Sequence, residues 1–392
     1  MEATRDIVII GGGVVGSSIA YFLKAAPGFS GSVTVLEKDP TYEFGSTARS
    51  WGGVRQQFST PENILISRFT EEFLREITHY LGIDGSPVNV DFQERGYLFL
   101  AEEPHIPTLY ANNAIQRSLS VNVGLLDQED LKRGFPWLNV ADLAGGSFGL
   151  SGEGWLDAYS LNQAFRKKAI SLGVEYRAIA AAGLDVTEGK VTAVRLADTS
   201  RIAAGAVVNA AGPAAATIAG WIGIELPVRS RKRYAYSFSC REEITGCPLI
   251  VDPSGVHFRP EGRQFIAGCS PHPANDPDCT DFDVDYSWFE EHIWPILAHR
   301  VPAFESIRME RAWAGHYAYN LLDQNAILGP HPEITNFYFA NGFSGHGLQQ
   351  SPAVGRAIAE LMTDGKYRSL DLSRFSYERI VTGRAISEHN IV

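Results

Sequence analysis

The chain has 392 residues, more than one ordinary hydrophobic core accommodates, so two domains or one discontinuous pair are expected. Apolar residues at 45% and charged residues at 20% fit a globular enzyme, and a net charge of −11 disfavours a nucleic-acid surface or an anionic membrane as partner. Cys240, Cys247, Cys269 and Cys279 lack C-x-x-C spacing, no apolar run is long enough to span a bilayer, and strand character begins near Asp6. A cytoplasmic protein with reduced thiols, no membrane span and no metal is therefore expected.

The first element is the most informative. A β-branched run at 6–10 ends in Gly11-Gly-Gly13-Val14-Val15-Gly16, and an apolar helical stretch follows to Pro27-Gly28. Strand, glycine turn and helix at G-x-G-x-x-G spacing form a dinucleotide fingerprint. Gly11 permits a tight turn, Gly13 lets backbone approach a pyrophosphate, and Gly16 lets helix meet strand. A second short strand, 32–37, ends in Glu37, placed to accept from a ribose hydroxyl pair.

Residues 38–58 are small, hydroxyl-bearing and twice interrupted by arginine, a composition suited to lying along a large cofactor. A helix is expected at 61–80, a strand at 96–101, helical pieces at 105–119 and 127–133, and a glycine-rich return at 145–156. An α/β rhythm resumes with a helix at 158–172, a strand at 174–177 and a hairpin at 184–196 around Glu188-Gly189. A strand at 206–210 then breaks at Asn209-Ala-Ala211-Gly212-Pro213. From 228 to 268 short alternating segments argue for an antiparallel sheet. A Pro- and Asp-rich loop (270–285), a helix at 286–300, a strand at 307–314, a strand at 337–340 and a helix over about 351–362 complete the ordered chain. The last dozen residues read as a loosely attached tail.

The fold class expected is α/β: a Rossmann-like dinucleotide domain assembled from separated segments (1–90, 150–225 and 322–380), with an inserted α+β substrate domain (91–149 and 226–321) built on an antiparallel sheet. Residues 381–392 form a flexible tail. Three glycine-rich strand ends, at 11–16, 209–213 and 341–347, suit a flavin better than a nicotinamide. The third opens a helix whose N-terminus can stabilise charge on a reduced pyrimidine ring.

Taken together, Gly11-x-Gly13-x-x-Gly16, Glu37, Gly45-Ser-Thr-Ala-Arg-Ser50, Gly52-Gly-Val-Arg55, Asn209-Ala-Ala-Gly-Pro213 and Gly342-Phe-Ser-Gly-His-Gly347 resemble the D-amino-acid oxidase superfamily over roughly 5–375. The branch holding sarcosine oxidase, glycine oxidase and dimethylglycine dehydrogenase is the most similar. The resemblance implies FAD, and oxidation of the C–N bond of an amino acid or N-substituted amino acid by hydride transfer to flavin N5, followed by imine hydrolysis. It places Gly11, Gly13, Val14, Val15 and Gly16 at the pyrophosphate, Glu37 on the adenosine ribose and Lys38 beside the adenine. Ser46, Thr47, Arg49, Ser50, Gly53 and Val54 would follow the cofactor toward its ring, with Val186, Ala211 and Gly212 completing the contacts. Gly345, His346, Gly347, Leu348 and Gln349 would surround the pyrimidine edge.

Arg55, His316, Tyr317, His346, Gln349 and Arg259 are the candidate catalytic residues, with Arg259, Arg311 or Arg55 available for a substrate carboxylate. Gln349 stands where sarcosine oxidase has a carboxylate-binding lysine. That enzyme's flavin-linked cysteine falls in the segment resembling 313–317, and here no cysteine follows Cys279, so non-covalent FAD is expected unless a histidine carries the link. Residues 262–269 lack the lysine that promotes reaction with oxygen, which favours a dehydrogenase with a redox partner over an oxidase, with Arg263 as a substitute cation. An oligomer or hetero-complex, a partner-binding flavoprotein, and a C–O-oxidising enzyme using Arg229–Arg233 as a phosphate site stand as alternatives.

Overall fold

The computed structural model describes residues 3–389. Seven strands carry the architecture: β1 (Ala3–Ile10), β2 (Val33–Glu37), β3 (Glu175–Ala178), β4 (Arg201–Asn209), β5 (Val228–Cys240), β6 (Ile307–Asn320) and β7 (Phe337–Asn341). β7, β4, β1, β2 and β3 lie side by side in that order, every neighbouring pair parallel. Their near-continuous apolar runs, such as the fully buried Val8-Ile9 and Val207-Val208, are what a sheet covered on both faces requires. The register aligns Ile10 with both Leu36 and Asn209, and Asn209 with Phe339, so four strands end together. A crevice at the carboxyl ends of parallel strands follows from that alignment.

Four helices frame this crevice: α1 (Val14–Ala25), α2 (Pro61–Arg75), α3 (Ala158–Ser171) and α4 (Gly347–Asp364). α1 packs between α3 and α4 on one face of the sheet. A side chain at Gly355 would strike Ser18, whose hydroxyl donates to Ser351 O at 2.8 Å. The dinucleotide-type layer is thus assembled from the start, middle and end of the chain.

A second eight-stranded sheet supplies the other layer. It runs β6, β5, 264–268, 257–261, 249–251, 97–101, 145–149 and 123–127, antiparallel except where 249–251 meets 97–101. Tyr236, Phe238, Phe258, Phe265, Phe289 and Phe304 fill the space beneath it. β5 and β6 are longer than their alternation suggested and pair from Val228↔Asn320 to Cys240↔Ile307, forming a long ribbon over the crevice. The expected helix at 286–300 carries a π-helical turn at Phe289–Ile293, just ahead of Pro295. The helix expected near 351 starts four residues earlier, at Gly347.

The chain end differs from expectation. Ile386 is buried in the core shared by α1 and α4, and Asn325 Nδ2 donates to Ile386 O at 3.0 Å. Residues 386–389 are tied to the domain rather than loose; 390–392 lie outside the described residues. Among the described residues, no helix is long and apolar enough to cross a membrane.

Candidate active site

Gly11 has φ +105°, and a Cβ there would overlap the carbonyl of Ala210; a Cβ on Gly16 would overlap Gly11 O. Only glycine lets β1, the turn and α1 close this tightly. The N-terminus of α1, capped by no side chain at Gly13, opens into a cleft of about 690 Å³, and Val14 N donates to Thr47 Oγ1 at 3.2 Å. At the end of β2 the Glu37 carboxylate accepts from Gly12 N and Asp39 N, each at 2.8 Å, which fixes it at the cleft wall beside Lys38 and Tyr42.

The loop after β2 follows the cleft and is stitched to β6. Ser46 Oγ donates to His316 O at 2.7 Å, Arg49 Nη1 donates to Ala314 O at 2.9 Å, and the Arg49 guanidinium lies 4.5 Å from the Phe282 ring centre. At the far end, Arg55 is 3% exposed. Its backbone N donates to Gln349 Oε1 at 2.7 Å, Nη1 donates to Gln57 O at 2.6 Å, and Nη2 lies 3.1 Å from His346 Nε2. Phe58 stacks against the guanidinium at 4.0 Å. The first turn of α4 closes this end, with Gly345 (φ +99°) so close to the Tyr317 ring that no side chain fits.

Charge is managed by burial. Burial lowers the His346 pKa to about 3, assisted by the neighbouring Arg55, so the imidazole is neutral. A guanidinium can only donate, so His346 Nε2 accepts and the ring proton sits on Nδ1. His257 is likewise lowered, to about 4, by burial. Glu153 is fully buried behind Arg55. Burial pushes it up to about 7, although Gln56 N (2.6 Å), Gln57 N (3.1 Å) and Gln57 Nε2 (2.8 Å) all donate to it. Burial also lowers the Arg55 pKa, opposed by Tyr97, Glu388 and Glu153.

One cavity gathers most of the residues expected from the sequence. Gly11, Gly13, Val14, Val15, Glu37, Lys38, Ser46, Thr47, Arg49, Ser50, Gly53, Arg55, Ala211, Gly212, His316, Tyr317 and 345–349 all line it. Gly16 and Val54 lie just beneath, the one packing α1 on β1 and the other paired with Gly154. Two placements are corrected. Val186 sits on the outer 181–196 hairpin, 41% exposed and away from the cleft, and Ile179, Ala180 and Ala181 line it instead. Arg259 is buried in a different wall, where it donates to Trp51 O at 2.7 Å, to Pro260 O and to Glu261, and borders a separate cavity of about 290 Å³. Arg311 is exposed over Trp313 and lines neither cavity.

The cation that does face the cleft from the second sheet is Arg233 on β5. Its guanidinium lies 5.2 Å from the Tyr317 ring centre and forks onto Asp276 at 2.9 and 2.8 Å, while its Nε is buried with no partner among the described residues. The sequence signal for it was the basic run at 229–233, which suggested a phosphate site. Arg229 and Arg231 pair with Asp278 and Lys232 with Asp281, so that run is neutralised by the 270–285 loop.

Comparison with known proteins agrees with this geometry. The model of the "FAD dependent oxidoreductase" family matches residues 6–361. FAD-dependent oxidoreductase domain-containing protein 1 of Xenopus laevis is 43% identical over 99% of this chain and 85% of its own length. Glycine oxidase of Geobacillus kaustophilus is 27% identical over 97% of this chain and 98% of its own length. Among solved structures, L-proline dehydrogenase from P. horikoshii superposes with a TM-score of 0.87 at 28% identity, covering 98% of this chain and 99% of that one. With a glycine-lined crevice at the strand ends and a family model spanning nearly all of it, the chain belongs to the FAD-dependent oxidoreductases, with FAD as its cofactor.

Proposed function

We propose that this protein oxidises the C–N bond of an amino acid or N-substituted amino acid. The observation that carries the reading is the single cleft joining the N-terminus of α1 to that of α4 beneath the β5–β6 ribbon. Its residues fit FAD. Backbone at Gly11 and Gly13 leaves room for a diphosphate at a helix N-terminus, Glu37 suits a ribose, and the start of α4 suits the electron-rich edge of the ring system. When bound, FAD supplies the acceptor for a hydride from the carbon beside nitrogen, and water hydrolyses the resulting imine.

The chain's own residues orient and polarise. Arg55 holds a positive charge next to Gln349 and the first turn of α4, and neutral His346 steers that guanidinium by accepting from Nη2. Arg233, with Tyr317 across its face and its Nε unpartnered among the described residues, is the cation placed to take a substrate carboxylate in competition with Asp276, whereas Arg259 borders a separate cavity. A substrate amine entering neutral needs no base, so positioning and electrostatics suffice. The pairing of Arg229 and Arg231 with Asp278 and of Lys232 with Asp281 speaks against a phosphorylated substrate.

The acceptor of the electrons is a redox partner rather than oxygen in this reading. The strand 264–268 that meets Trp51 carries no lysine, and Arg263 lies on the exposed 261–264 turn. Four free cysteines support a reducing compartment such as the cytoplasm. The test is anaerobic mixing of the FAD-loaded protein with D- and L-amino acids, proline, sarcosine, dimethylglycine and longer N-alkyl amino acids. Bleaching of the flavin band is expected with at least one; no bleaching by any of them overturns the reading.

A further inference from the structure

The end of the chain lies beyond the stretch matched by the family model, yet it is bonded to the start of α2, next to Phe58 and Arg55. Arg379 is buried and held by Asp323, whose carboxylate also accepts from Ile386 N at 3.0 Å. Ile386 then fills a core position, and two residues later Glu388 turns its carboxylate to the start of α2. There it accepts from Ser59 N (2.7 Å), Ser59 Oγ (2.6 Å), Thr60 N (3.0 Å) and Asn63 Nδ2 (3.3 Å).

This is a helix cap delivered from the other end of the sequence. Thr60 is the N-cap residue of α2 but its hydroxyl does not cap the helix, and a carboxylate is the group a helix N-terminus favours. Ser59 follows Phe58, whose ring carries the Arg55 guanidinium at 4.0 Å and meets the His346 ring edge-on at 5.2 Å. α2 in turn holds the cleft end of α4, since Thr70 Oγ1 donates to Gln349 O at 2.5 Å. Glu388 and Arg55 favour each other's charged form. Burial alone would raise the Glu388 carboxyl, but the Ser59 hydrogen bonds and Arg55 hold it below its usual range. Another acid near Arg55, Glu153, is pushed up to about 7 and is partly neutral at physiological pH.

We propose that Glu388 is a positioning residue for the flavin. Through Ser59, Thr60 and Phe58 it holds Arg55 against His346 and Gln349, and its negative charge sets how much of the Arg55 cation remains to stabilise negative charge in the cleft. The C-terminal segment is thereby part of the redox site. The inference rests on the proposed function only in taking Arg55, His346 and Gln349 to face the flavin ring.

The test uses sulfite, which adds to oxidised flavin as an anion and bleaches its visible band, so its affinity reports positive potential at the ring without any substrate. In the full-length FAD-loaded protein, Glu388→Gln is expected to bind sulfite about tenfold more tightly, the order of effect of one unit charge inside a protein. Glu388→Asp, which keeps the charge, stays within about twofold of the parent. A merely structural role would shift melting temperature in both variants and sulfite affinity in neither. Should Glu388→Gln not retain FAD, Ser59→Ala combined with Asn63→Ala removes two donors that keep the carboxyl ionised against burial, so its sulfite affinity rises more steeply than the parent's as pH falls. Parental sulfite affinity in Glu388→Gln, or a parental pH dependence of sulfite binding in the Ser59→Ala and Asn63→Ala double variant where Glu388→Gln does not hold FAD, overturns the proposal. A parent that binds sulfite but is bleached by no amine overturns the proposed substrate class and leaves the Glu388 comparison decisive.

Discussion

Glu153 offers a pH-dependent test of how the site balances charge. The group ordinarily titrates near 4.5 and is pushed up to about 7 in the folded protein, first by burial. Between those values the folded state holds a proton that the unfolded state has released. Stability therefore falls as pH rises through that window and levels off above it. A shift of that size corresponds to about 3 kcal/mol. His346 and His257, lowered to about 3 and about 4, act in the opposite sense: the unfolded state binds their protons first, so stability rises with pH toward 6.5. The parental profile mixes both signs, and the difference from Glu153→Gln isolates the carboxyl. In that variant one amide oxygen still accepts from Gln56 N and Gln57 N, while its NH₂ confronts Gln57 Nε2, costing about 1–3 kcal/mol at every pH. Urea midpoints of parent and variant, measured from pH 4.5 to 8 with FAD bound, should show the variant weaker at the acid end. The gap should close, or reverse, by about 3 kcal/mol near pH 7 and above. A gap constant with pH refutes the raised pKa and the argument that burial outweighs three donors.

Other expectations follow from the same geometry. Gly16→Ala places a methyl against Gly11 O, so FAD affinity should drop at least about tenfold by flavin fluorescence, whereas Val186→Ala on the outer hairpin should leave it unchanged. If Arg233 takes the substrate carboxylate, Arg233→Gln raises KM about tenfold, while Asp276→Asn releases the guanidinium and lowers KM; parallel shifts would point to folding alone. His346 should remain a neutral Nδ1–H tautomer from pH 5 to 8 in nitrogen-15 imidazole spectra, and an imidazolium signal at pH 6 would contradict its placement.

The part of the site that sequence made legible is the part built from local rules. Gly11 and Gly16 sit where a turn and a helix–strand contact admit no side chain, and those demands act over six residues. Glu37 ends its strand where register brings four strand ends together. What escaped is set by pairing at long range. The resemblance implied a cofactor contact at Val186, but the pairing of the 181–196 hairpin leaves Val186 on its outer side while Ile179–Ala181 line the cleft. Arg259 reads as a carboxylate-binding candidate and Arg233 as part of a phosphate site, and only the pairing of the second sheet decides that Arg233 faces the cleft and Arg259 a different wall. The stretch 384–389, short and without periodicity, gives no local sign that Glu388 caps a helix 328 residues away. Arg55 reads from the sequence as a candidate catalytic residue only. Its burial between Gln57 O, Phe58 and His346 means that Arg55→Ala also leaves a void and weakens the hold on Glu388 and Glu153.

A protein of net charge −11 nonetheless lines one cleft with positive elements: two helix N-termini, Lys38, Arg49, Arg55 and Arg233. The acids set against Arg55 and Arg233 lie on segments other than the one that carries the fingerprint. Asp276 reaches Arg233 from the 270–285 loop, Glu153 lies in the glycine-rich return, and Glu388 arrives on the last described segment. The cradle for a dinucleotide is thus fixed by backbone shape near the start of the chain, while Asp276, Glu153 and Glu388, on segments outside the glycine fingerprint, offset Arg233 and Arg55. Those segments can vary without disturbing the turn at 11–16. A scaffold organised this way can keep its cofactor while changing substrate and electron acceptor, with the carboxylates facing Arg55 and Arg233 as the means.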